Sequence, residues 1–390
     1  MNGRERLLKT LKGEKADRMP VAPFLYYNAV YEMFDYVPDM DNFFNPDDFD
    51  PIVKFVEYCD YFGFDVLHTL GTVWDMYAAD TSIDQSVIRA WDNWDVAVSD
   101  ERKGDEKRRT IVIRTPDGDL KHIETFTRTS KYLCISAPQE QLIKTQKDFE
   151  IFRKYSPPAD FMDCSLIRRA RQATGDKGLV STCSNGAFNT LARSFRNLET
   201  VFMDPISDEG FYREMMDYFT ERLIQRNKKL IANGADVIEV AANLAGSGVG
   251  PKFYAKFICE YENRVLKGIH QAGALNIFHN CGDAAKIMHL YNDMEIDCWG
   301  YVTPPPFGDN NIDDVLRVIR PNMALRGNID QVDFMMKAAP AEVKARTREL
   351  VEKVKPRGNW ILSTSDFFFD GTPYENIKAF ADTGREFGQY

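Results

Sequence analysis

"GADVIEVAANLAGSGVGPKFYAKFICEYENRVLKGIHQAGALNIFHN", residues 234–280, carries the decision about the fold. An apolar, β-branched run at 236–240 stops in small residues and glycines, as a buried strand does when it reaches a turn. A helical pattern follows. Phe253, Phe257 and Tyr261 fall on one face at i, i+4 and i+8, and Pro251 sits where a first helical turn loses nothing by a missing N–H. A second apolar run at 275–279 completes a strand–helix–strand unit.

The same unit recurs along the chain. Apolar runs ending in Gly, Ser, Asn or Thr stand at 19–24, 65–70, 178–183, 236–240, 275–279, 296–301, 323–328 and 359–365. Helical patterns lie between them, one of them over 340–354, and Thr372-Pro-Tyr-Glu375 has the form of a capping box ahead of the last helix. Eight such units in 390 residues predict a (β/α)8 TIM barrel, read as one α/β domain over 1–390 with an N-terminal helical extension. A doubly wound sheet would usually show a Gly-rich phosphate turn after its first strand, and none follows Phe24. The stretch from about 89 to 127 departs from the pattern. It alternates apolar and polar residues around Lys103-Gly104 and Asp117-Gly118, which predicts an inserted β-hairpin with the charge run 101–109 as a solvated tip.

Composition narrows the function classes. A formal charge of −10 argues against a nucleic-acid surface, which needs clustered Lys and Arg. No run approaches the ~18 consecutive apolar residues of a membrane span, and the charged start lacks the apolar region of a secretory signal. Seven scattered cysteines are not a disulfide framework. These features predict a cytoplasmic protein whose partner is a small molecule or another protein, with a homodimer as one arrangement.

In such a barrel the chemistry sits at the C-terminal ends of the strands, and these ends are polar here. They include His68, Asn185, Glu239, His279, Cys281, Tyr301, Arg326, Asn328 and Asp366. His279-x-Cys281 places an imidazole and a thiol on one side of a strand end, a spacing that suits a soft-plus-borderline donor pair for Zn²⁺. A packed strand end with a hydrogen-bonded histidine gives the same two letters. Glu239, inside an apolar strand, needs a partner if buried. His68, Asn185, Tyr301 and Arg326 are candidate substrate contacts, and Phe24, Tyr26, Tyr27, Trp299, Tyr301 and 367–369 are candidate walls of an aromatic pocket.

Five stretches taken in order, "ADRMPVAPF" near the start, "GADVIEV" at 234–240, "HNCGD" at 279–283, "LRGNID" at 325–330 and "ILSTSDFFFDGTPYENIKAF" at 361–380, resemble the uroporphyrinogen decarboxylase superfamily. Within it the chain resembles the branch of corrinoid (cobalamin)-dependent methyltransferases. The resemblance implies a zinc held by His279, Cys281 and a third ligand, with Asp366 standing where that branch carries a cysteine and Glu239 as an additional or substitute ligand. It also implies a corrinoid carried by a partner protein, and it makes Glu239 and Asp366 catalytic candidates. The decarboxylases proper carry arginines after the first strand that clamp an acidic tetrapyrrole. This sequence has no arginine between 19 and 88, so metal-free decarboxylation is the weaker expectation, beside a non-catalytic member of the fold. A carboxylate in place of a thiolate makes a bound zinc a harder Lewis acid, which favours demethylation of an ether or similar donor over delivery of methyl to a thiol.

Overall fold

The computed structural model of the chain describes residues 1–40, 43, 46–70 and 91–390. Strand β1 (Val66–Leu70) is followed by four strands of the insertion, β2 (Asp95–Lys103), β3 (Glu106–Thr115), β4 (Gly118–Arg128) and β5 (Cys134–Glu140). Then come β6 (Gly178–Asn185), β7 (Val237–Ala241), β8 (Leu275–His279), β9 (Cys298–Val302), β10 (Ala324–Ile329) and β11 (Trp360–Thr364). β1 and β6 to β11 form one parallel sheet in chain order, with helices between successive strands. That is the order of barrel staves, and the α/β TIM-barrel expectation holds.

The predicted first strand is different. Residues 19–24 form no regular strand, yet they stand between β11 and β1. Ala22 N donates to Leu362 O at 3.0 Å, Leu362 N to Pro20 O at 2.9 Å, and Asp65 N to Val21 O at 2.9 Å. Pro20 and Pro23 lack the N–H that a ladder would use, so this eighth stave is joined by isolated bonds.

Each stave contributes one residue to an apolar floor: Ala22, Leu67, Leu179, Val237, Ile277, Cys298, Ala324 and Ile361 are all buried together. Leu7 and Leu11 belong to the same cluster. They come from the helix Gly3–Leu11, which stoppers the N-terminal end of the barrel and accounts for the predicted helical extension. Its capping box is complete, with Glu5 N donating to Asn2 Oδ1 at 2.8 Å and Asn2 N to Glu5 Oε2 at 3.1 Å. Gly3 permits the dock, because a Cβ there would lie 1.9 Å from Lys177 O. Asp65, just before β1, binds Arg6 of this helix, Arg18 at 2.9 and 3.1 Å, and the backbone N–H of Val21 at 2.9 Å. One carboxylate thereby joins stopper, eighth stave and β1.

The insertion is larger than a hairpin. Its first two predicted residues, 89 and 90, lie outside the described residues, and the strands run on to Glu140 as a four-stranded antiparallel sheet in the order β2-β3-β4-β5. Both predicted turns are present. The charge run is solvated as expected except at two positions. Lys107 and Arg109 alternate inward, Lys107 fully buried over the Phe126 ring at 4.3 Å and Arg109 forked onto Asp100 at 2.8 and 2.7 Å. The sheet docks on the loops beyond β11 and β6, through Tyr132 N to Asp370 at 3.0 Å and Ile143 N to Phe195 O at 2.8 Å. Two smaller expectations are corrected. The helix expected from Pro251 splits into Pro251–Phe257 and Cys259–Gln271. The last helix, Tyr374–Phe387, has no capping box, because Thr372 Oγ1 donates to Phe369 O at 2.7 Å instead. No helix among the described residues is long and apolar enough to cross a membrane.

Candidate active site at the barrel mouth

Two residues beyond each floor position, strand alternation returns a side chain to the barrel interior. The second ring therefore reads Phe24, Thr69, Ser181, Glu239, His279, Gly300, Arg326 and Ser363. An apolar floor gives way to polar groups in a single step, and every side chain of this ring is buried.

Glu239 is its centre. His279 Nδ1 lies 2.9 Å from Glu239 Oε1, and Tyr301 Oη donates to the same oxygen at 3.2 Å. Arg326 Nη1 stands 3.5 Å from Glu239 Oε2, an ion pair too long for a hydrogen bond. Burial alone would raise the Glu239 acid, but the His279 hydrogen bond and the Arg326 charge more than offset it and hold the carboxyl below its ordinary range. Burial likewise opposes a charge on His279, yet the neighbouring Cys281 and then the Glu239 hydrogen bond raise it well above an ordinary histidine. With Nδ1 committed to Glu239, Nε2 is the ring nitrogen left for a reacting partner. Tyr301 would face outward by simple alternation. Gly300 pairs with Arg326 and Val302 with Gly327, so Tyr301 is the extra residue of a bulge, and the bulge turns its ring inward. There it packs 4.8 Å from the His279 ring, 5.5 Å from Phe24 and 4.6 Å from the Arg326 guanidinium.

The expected metal trio is not assembled. Among the described residues no three His, Cys, Asp or Glu side chains are gathered so as to hold a metal ion. Glu239 is turned to the Nδ1 side of His279, behind the pair, which is the place of a carboxylate that orients a histidine and not of a ligand beside it. Asp366 is half-buried, its carboxylate accepts from Phe367 N at 2.8 Å, and burial raises its acid. His279 and Cys281 alone fit the donor chemistry, and Asn243 Nδ2 donates to the Cys281 sulfur at 3.8 Å.

Parity separates the remaining candidates. His68 is out of phase with Leu67 and points into the helix layer, stacked on Phe55 at 4.2 Å with ring nitrogens 3.4 Å from Tyr27 Oη and 3.3 Å from Thr174 Oγ1. Burial pushes it down to about 3, so it is a neutral core histidine and the substrate-contact expectation is corrected. Asn185 is in phase with the interior and touches Ser194 Oγ at 3.5 Å, on the rim above the ring. Arg326 is fully buried, with Nε and Nη2 donating to Ala22 O at 3.2 and 3.0 Å, so it does not reach the open mouth as a substrate contact would. Of the aromatic candidates, Phe24 and Tyr301 flank His279, Phe367 packs on Phe24 at 6.2 Å and Tyr26 on Phe367 at 5.5 Å, while Tyr27 and Trp299 pack outward on Phe55 and Tyr291. Thr69, Ser181 and Ser363 are polar strand ends in the sequence as well, where nothing assigns them a role, and the structure sets them in this ring. The signal that finds them is a polar residue two places after each floor residue. Cys183, another such strand end, is pushed up to about 12 by burial and the Glu239 charge and so stays a thiol.

A family model described as uroporphyrinogen decarboxylase (URO-D) matches residues 139–387, well over half of the chain. The chain belongs to the uroporphyrinogen decarboxylase family. Among its curated relatives, a methylated-thiol–coenzyme M methyltransferase of Methanosarcina mazei is 28% identical over 198 residues, covering 50% of each chain. A uroporphyrinogen decarboxylase of Solibacter usitatus is 26% identical over 185 residues, 46% of this chain and 50% of that one. The methylcobamide:CoM methyltransferase MtbA of M. mazei is 20% identical over 193 residues, 49% and 54%. The chain thus spans about half the length of these relatives. A solved structure described as a methyltransferase from M. mazei covers 99% of both chains with a TM-score of 0.71 at 15% identity, which shows the shared fold. This member of the uroporphyrinogen decarboxylase family carries His279 as the last residue of β8 and Cys281 two residues beyond it. Where the resemblance led to a third cysteine, it places Asp366, hydrogen-bonded to Phe367 N.

Proposed function

We propose that the chain moves a methyl group from a small-molecule donor, a methyl ether by preference, to the cobalt of a corrinoid carried on a separate protein. The observation that supports this most is the Glu239–His279 pair, with Cys281 beside it, set at the mouth under the aromatic edges of Phe24 and Tyr301, with Phe367 packed on Phe24. Two of the relatives are named as methyltransferases of coenzyme M, one of them with a methylcobamide, and this agrees with the reading. The corrinoid is a co-substrate here, and its reduced cobalt supplies the nucleophile. As the methyl carbon passes to cobalt, the donor's C–O bond breaks and its electron pair stays on oxygen. His279, held by Glu239, gives that oxygen a proton from Nε2, so an alcohol or phenol leaves. The aromatic edges wall the donor and keep water from it. Because the side chains present do not form a three-donor zinc site, no step here runs through zinc. The seven free thiols suit a reducing cytosol. A decarboxylase reading fits less well, because the Arg326 fork is already bound to Ala22 O, with its third nitrogen directed at Glu239.

Mixing purified chain with cob(I)alamin and a panel of methoxylated aromatics is expected to give methylcobalamin absorbance with at least one donor and to release the matching phenol. No turnover with ethers, amines or thioethers would leave only the fold. Metal analysis of the same preparation, with His279→Ala and Cys281→Ser as controls, reads zinc separately. A near-stoichiometric ion lost in both variants would show that a third donor swings in.

A further inference from the structure

We infer that Arg326 is a positioning residue, which fixes the Glu239 carboxylate through Oε2 so that Oε1 holds His279 in one orientation. The inference deepens the methyl-transfer reading and uses the same site. Three facts carry it. First, Arg326 is fully buried in the second ring, and two of its three nitrogens are spent on one backbone carbonyl, Ala22 O at 3.2 and 3.0 Å. A side chain anchored in this way is aimed, since its planar fork leaves Nη1 only one direction. Second, that direction ends on Glu239, whose Oε2 is 3.5 Å away. Among the described residues neither Nη1 nor Oε2 has a hydrogen-bond partner, so the two buried charges answer chiefly to each other. Third, the opposite oxygen, Oε1, takes both His279 Nδ1 and Tyr301 Oη, and the Tyr301 ring covers the guanidinium at 4.6 Å. Arginine, carboxylate, imidazole and phenol form one closed set. Without the guanidinium the carboxylate keeps only its Oε1 partners and is free to turn about them, and the imidazole loses its fixed aim.

A group acting through Glu239 and a group that grips substrate differ in what they change. Arg326→Lys and Arg326→Met are expected to lower kcat about 10–100-fold, the range for residues that orient a reacting histidine, with KM for the donor within twofold of the parent. In protein carrying ¹⁵N-labelled histidine, the Nδ1–H resonance of His279 is expected to move in Arg326→Met to where it lies in Glu239→Gln. The double variant Glu239→Gln/Arg326→Met should add no further loss of kcat. If Arg326→Met does not fold, Arg326→Lys carries the test, because it keeps the charge without the fork. A KM that rises while kcat holds would overturn the inference, as would a His279 resonance indifferent to position 326 or additive losses in the double variant. Should no donor be turned over at all, the resonances still decide this point independently of the reaction.

Discussion

The His279→Ala variant is expected to lose about 10²- to 10⁴-fold in kcat/KM for methyl transfer, the range that a positioned proton donor supplies. The loss should fall on kcat, because the imidazole acts as the donor oxygen gains charge and not when substrate docks. The fold should survive, because Glu239 keeps Arg326 at 3.5 Å and the Tyr301 hydroxyl at 3.2 Å. Steady-state rates with the donor found active, together with urea unfolding of both proteins, check the expectation. A decrease below about fivefold in a folded variant would remove His279 from the chemistry and with it the proposed reaction. A donor whose leaving group needs no proton should be hurt least, so rates across phenols of rising acidity provide an internal control.

The second large effect is on stability. Asp65→Ala removes the carboxylate shared by Arg6, Arg18 and the N–H of Val21. Asp65 is almost wholly buried and Arg6 is nearly so, so the deletion strands a cation in a dry place at a cost of about 3–5 kcal/mol. Arg6 keeps Asp17 at 2.7 Å, which sets the lower end of that range. The Asp65→Asn variant should lose less, because an amide oxygen can still accept from Val21. Equilibrium denaturation of the three proteins gives the ordering, and an Asp65→Ala loss under about 1 kcal/mol would mean that the junction of stopper, eighth stave and β1 is held by packing alone.

Much of this architecture is legible in the letters. The βα rhythm places seven of the eight staves to within two residues at either end, because buried parallel strands are apolar throughout and end at small polar residues. The first stave was found by its apolar character, but its two prolines, in plain view, already denied it a ladder. The insertion was underestimated because β5, Cys134–Glu140, contains a proline and exposes Ile135, which reads as a loop. At the site, Glu239, His279 and Cys281 were legible as polar groups at the ends of apolar runs. Their roles were not. Whether Glu239 stands beside a metal or behind a histidine depends on which ring nitrogen it meets, a matter of ångströms that no spacing encodes. His68 was misjudged because a strand end names a height and not a side, and counting by twos from Leu67 would have set it outside. Tyr301 is the reverse case, an inward residue that alternation sends out, since a bulge is a property of two paired strands. Asp366 was expected to turn towards the pair because of what stands in its place in related sequences, and the structure turns it to Phe367 N.

The stopper helix makes the barrel a vessel with a single door. Leu7 and Leu11 lie against a disc of hydrocarbon contributed by all eight staves, and such a disc conducts neither water nor protons. Whatever reacts above it must arrive and depart on the same side. A small donor and a bulky corrinoid carrier would then have to share one threshold, the donor settling in before the carrier covers it and leaving only after the carrier has withdrawn.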